Sequence, residues 1–124
     1  MSFLGAFNTQ LIRFFEGLSE IFPEERDIKA SLEAIHGLKK INPKMILDLF
    51  FEHVYKPMSE PIKREDEEVV IAYAKSVISE QFNEMSIALV MFDKHWPSLS
   101  DTNRRNIWNY LKVLCVLCEK AKDL

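Results

Sequence analysis

Ile107-Trp-Asn-Tyr-Leu-Lys-Val-Leu-Cys-Val-Leu-Cys118 decides the fold class, because only Asn109 and Lys112 interrupt its apolar run. As a helix these residues rise about 18 Å, well short of a hydrocarbon core of about 30 Å. The run therefore reads as a helix surrounded by protein, not as a membrane span. With side chains spaced about 100° apart around the axis, Ile107, Tyr110, Leu111, Leu114, Leu117 and Cys118 share one face, and Val113 and Val116 point away from it. A helix apolar on both sides needs two partners. Either the rest of the chain wraps it, or another chain covers its back.

Working toward the N-terminus, every periodic stretch is helical. Leu4, Phe7, Leu11, Phe14, Leu18 and Ile21 alternate spacings of three and four, widened by Phe15 and Phe22. A strict two-stranded coiled coil would put charge where Phe15 and Phe22 stand, so the stripe fits core packing in a bundle better than a zipper. Pro23 ends that helix, Asp27 is placed to cap the next, and Ile28, Leu32, Ile35 and Leu38 form its apolar face. Asn42-Pro43 is a start signal for a third helix from Lys44 to Tyr55, apolar except for the strip Asp48 and Glu52. Pro57 and Pro61 bracket the expected main connection, Lys56 to Arg64. Val69 to Trp96 holds neither Gly nor Pro; polar residues near Ser79 to Asn83 favour a break into two helices. Pro97 closes it, Ser98 to Asp101 offers caps, and the last helix runs from about Asp101 to Ala121. The expected architecture is all-α, one domain over residues 1–124, a bundle of five to six helices.

Composition bounds the function. A chain of 124 residues with 48% apolar residues can bury one core without disulfides or metal. A formal charge of −3 argues against a general electrostatic grip on nucleic acid. The N-terminal Met-Ser-Phe-Leu-Gly lacks a basic region before an apolar stretch, so no signal peptide is expected. With only two cysteines, the expected setting is reducing and intracellular, with free thiols.

Few residues of the chain stand in a pattern that chemistry requires. The three glycines stand singly, so there is no phosphate loop; His36, His53 and His95 belong to three different segments, so no zinc-binding pair forms. Cys115-Val-Leu-Cys118 has CxxC spacing but sits near a helix C-terminus, where the dipole opposes a thiolate; it reads as two buried small hydrophobes. No catalytic residue, cofactor site or metal site is assigned, and the chain is not expected to be an enzyme. Two basic clusters, Lys39, Lys40 and Lys44 around one turn and Arg104 with Arg105 beside Trp108, are the possible nucleic-acid contacts.

The block Phe22-Pro-Glu-Glu-Arg-Asp-Ile28, followed by Lys40-Ile-Asn-Pro-Lys44, resembles small helical proteins encoded by large nucleocytoplasmic DNA viruses of algae and protists. The final helix, from Ser100-Asp101 through Tyr110-Leu111-Lys112, is similar in type; Lys63 to Trp96 departs from the pattern. No activity comes with this resemblance. It implies a viral context and a location in host cytoplasm or virion.

The expected function is that of a non-enzymatic, viral protein–protein interaction or assembly protein. Its contact surface is drawn from Leu4, Phe7, Leu11, Phe14, Trp108, Val113 and Val116, meeting a protein partner or a second copy. The alternatives are a minor virion component lodged among capsid proteins and a nucleic-acid-associated factor using the basic clusters. Nucleic acid is the less expected partner, and neither a membrane nor a small-molecule substrate is expected.

Overall fold

Ser2 starts the first helix by accepting the Gly5 N–H on its hydroxyl at 3.0 Å, and Pro23 fixes where it stops. In the computed structural model, which describes residues 2–80 and 94–124, this helix, α1, spans Phe3–Ile21. Helix α2 (Arg26–Ile41) returns along it and brings Pro43 back beside Asn8. Helix α3 (Pro43–Phe50) passes into a π turn (Phe51–Tyr55) and then into α4 (Lys56–Lys63). Helix α5 (Glu67–Glu80) follows; a 3₁₀ turn (Trp96–Ser98) leads into α6 (Asp101–Ala121), whose N-cap Ser100 accepts the Asn103 N–H at 3.1 Å. Counting the α3–π–α4 run as one rod, the described residues form five helical rods and no strand, an all-α bundle.

Helices α1 and α6 make the most extensive pairing and run antiparallel. The Phe14 and Tyr110 rings lie 5.6 Å apart, and Lys120 Nζ stands 5.3 Å from the Phe3 ring at the other end. Phe7, Leu11, Phe14, Phe15 and Leu18 from α1 are buried with Ile107, Trp108, Leu111, Leu114, Cys115 and Cys118 from α6. Ile28 and Ile35 close the core from α2, and Ile46, Phe50, Ile62 and Val70 close it from α3, α4 and α5. Fully burying one such side chain is worth about 1.5–3 kcal/mol, so this shared face outweighs any local helix propensity.

Three local expectations are corrected. Asp27 does not cap α2. The helix begins two residues earlier than that reading requires, with Glu25 at the N-cap, and the Glu25 carboxylate is occupied by Lys94 and His95, each at 2.8 Å. Asn42 takes the N-cap position of α3, but its side chain makes no capping bond. The segment Lys56 to Arg64 is not the connection: it is α4, and the turn is confined to Arg64–Asp66.

The π turn explains how a helix passes Pro57. In α-helical register the Pro57 nitrogen would serve the His53 carbonyl, and proline has no hydrogen to give. The turn opens to i+5 bonding, with the Lys56 N–H donating to the Phe51 carbonyl, and the His53 carbonyl accepts the Tyr73 hydroxyl of α5 at 2.5 Å. The expected break near Ser79 to Asn83 lies largely outside the described residues.

Candidate interaction surfaces

The residues expected to meet a partner separate into two groups. Phe7, Leu11, Phe14 and Trp108 are buried in the chain's own core, and Leu4 is half-buried against it, so these five do not form a free contact surface. The reason is α6: its face presses on the whole α1 stripe, and Trp108 turns inward to meet Trp96 edge-on at 5.4 Å. Val113 and Val116 are the exception. They lie on the outward side of α6, 42% and 43% exposed. On that side Asn106, Asn109, Val113 and Val116 are all exposed and uncharged, with Arg105 and Lys120 at the two ends.

The basic clusters also separate. Arg104 donates to the carbonyls of Trp96 and Pro97, at 2.9 to 3.2 Å, and its guanidinium lies 5.2 Å from the centre of the Trp96 ring. Arg105 donates to Glu65 Oε2 at 2.6 Å. Both arginines hold the start of α6 in place. Lys39, Lys40 and Lys44 are exposed, at the opposite end of α1: Pro43 meets Asn8, whereas Asn103 and Asn106 line the same groove as Ile21. Thirteen residues of helix separate those two levels, about 20 Å, so the clusters do not make one surface.

Sequence reading missed Glu65. It sits in the α4–α5 turn with φ +55°, the left-handed region that costs a non-glycine residue energy, and its carboxylate receives both Arg105 and Lys112 of α6. Hydrogen bonds from Arg105, then from Lys112, lower its pKa from 4.5 to about 2. A carboxylate lowered on folding adds stability above its unfolded pKa and loses it as pH falls toward the folded one. Wild type should therefore melt above Glu65→Gln at neutral pH, and the gap should close between about pH 4.5 and 2 when melting temperatures are followed downward. A gap independent of pH would mean that the carboxylate charge is not what holds α6. No sequence motif marks this residue; only the turn brings it opposite two cations 40 and 47 positions away.

A second clamp binds the other end of α6. Glu119 Oε2 accepts Tyr55 Oη at 2.6 Å and Lys63 Nζ at 2.8 Å, while Lys122 pairs with Asp48 and lies 4.9 Å from the Phe51 ring. The Glu119 hydrogen bond raises the Tyr55 pKa to about 12. Burial pushes the Cys115 and Cys118 thiols up to about 12 and about 11, so both are held as neutral thiols and neither is poised for nucleophilic chemistry.

Between α1 and α6 runs a groove of about 260 Å³, floored by Phe14, Leu18, Ile21 and Ile107 and left open by Gly17, where an added Cβ would meet nothing within 4 Å. Its polar lining is Glu20, Asn103, Asn106 and Tyr110. Among the described residues no group of three or more His, Cys, Asp or Glu side chains is placed to hold a metal ion, and no helix is long and apolar enough to cross a membrane. No protein-family model, curated protein or solved structure matches this chain closely enough to place it in a family.

Proposed function

We propose that the chain is a non-enzymatic helical interaction protein that assembles through the outward face of α6. The observation that carries this reading is the exposure of Val113 and Val116, side by side, midway along the longest described helix. Neutral Asn106 and Asn109 flank them, so two copies can bring these faces together without opposing charges at the centre. Such a face is small beside a standard interface of about 1,600 Å², and association through it is weak and concentration-dependent. The viral context implied by the sequence blocks fits a small assembly or adaptor role.

Light scattering across a concentration series tests the reading. Wild type should rise from monomer toward dimer or larger, and Val113→Asp or Val116→Asp should stay monomeric. Both positions face solvent, so folding stability should change by no more than about 0.5 kcal/mol. A wild-type mass that remains monomeric throughout removes self-assembly through this face.

A further inference from the structure

At the turn from α2 to α3 an exposed aliphatic side chain stands among lysines. Ile41, the last residue of α2, is 84% exposed, and Met45, in the first turn of α3, is 44% exposed. Lys39, Lys40 and Lys44 adjoin them in sequence and are exposed, and none of the three forms an ion pair among the described residues. No acidic residue occurs between Glu33 and Asp48, and α1, which meets this turn at Asn8, has none before Glu16. Asp48 is engaged by Lys122.

Three main-chain polar groups of the turn are paired within the chain. The Asn42 N–H donates to the Leu38 carbonyl at 2.7 Å, and the Asn42 carbonyl accepts from the Met45 N–H at 3.1 Å. Pro43 has no N–H, and its carbonyl accepts the side-chain amide of buried Asn8 at 3.3 Å. Pairing these three groups lowers the cost of bringing the turn into a medium poor in water.

We propose that this tip docks on the surface of an anionic phospholipid bilayer. Ile41 and Met45 enter the boundary between headgroups and acyl chains, while Lys39, Lys40 and Lys44 extend their stems outward to the lipid phosphates and carboxylates. A nucleic acid would use the lysines but leave Ile41 and Met45 in water. A protein interface favours aromatic residues and arginine and disfavours lysine, whereas this tip carries three lysines and neither an aromatic side chain nor an arginine. No membrane partner is expected from the sequence; that no helix among the described residues is long and apolar enough to cross a membrane does not bear on docking at the surface.

Cosedimentation of the full chain with vesicles, of phosphatidylcholine alone or with added phosphatidylserine, tests the proposal. Binding is expected only to the anionic vesicles and should weaken as salt rises. Neutralising one lysine, as in Lys40→Gln, should lower the partition roughly fivefold. Ile41→Ser should lower it severalfold with an unchanged melting temperature, since this side chain supports no part of the core. Absence of binding to anionic vesicles at low salt overturns the proposal. So does an Ile41→Ser variant that binds as well as wild type, or binding that a short nucleic-acid duplex retains equally in wild type and Ile41→Ser while vesicles fail to compete; the last result would assign the lysines to a phosphate polymer.

Discussion

Phe7→Ala should cost about 3–5 kcal/mol of folding stability, measured by urea unfolding. Phe7 is fully buried, and its ring meets Phe50 edge-to-face at 5.0 Å, joining α1 to α3 where the chain reverses. Truncation removes the transferred ring and leaves a hole bounded by two helices that are fixed by other contacts, so collapse around it is limited. A loss of this size is a large part of the 5–15 kcal/mol that separates a typical domain from its unfolded state. The comparison with Val113→Asp separates two roles. One substitution should change stability with little direct effect on association, the other association with little effect on stability. A Phe7→Ala cost under about 1 kcal/mol would return Phe7 to the surface and contradict the packing of α1.

Tyr73→Phe should cost about 1–3 kcal/mol, because it removes the hydroxyl that the His53 carbonyl accepts and leaves that carbonyl without this donor. The cause lies 16 positions back, at Pro57, whose ring nitrogen cannot serve the carbonyl. Pro57→Ala supplies an N–H there, so in its background the Tyr73→Phe penalty should shrink. A double-mutant cycle reads the coupling directly. Equal penalties in both backgrounds would show that the tyrosine hydroxyl does not compensate for the proline.

These two residues also show where the sequence was legible. The extent of α6 followed from the caps at Ser98 to Asp101 and from its apolar run, because caps and periodicity are local signals. The outward direction of Val113 and Val116 followed from helical geometry alone. An a/d stripe, by contrast, states that a helix face is covered without stating by which chain, so Phe7, Leu11 and Phe14 also read as contact residues although the stripe fits core packing better. Pro57 and Pro61 read as a loop because the carbonyl that accommodates Pro57 takes its donor from another helix. Arg104 and Arg105 resembled Lys39 and Lys40 as free cations; the acceptors that occupy them are Trp96 and Pro97 carbonyls and a turn residue 40 positions away. Glu65 was invisible for the same reason: its role depends on a meeting of distant segments.

The pairing of α1 with α6 places a demand on synthesis. Phe7, Leu11, Phe14, Phe15 and Leu18 leave the ribosome with the first helix, but their principal cover begins only at Asp101, after 79 intervening residues. At elongation rates of about 5–20 residues per second, the stripe waits roughly 4–16 s for the helix that buries it. During that interval α2 and α3 offer partial shelter, and a nascent chain halted before α6 would present five large apolar side chains to chaperones and proteases.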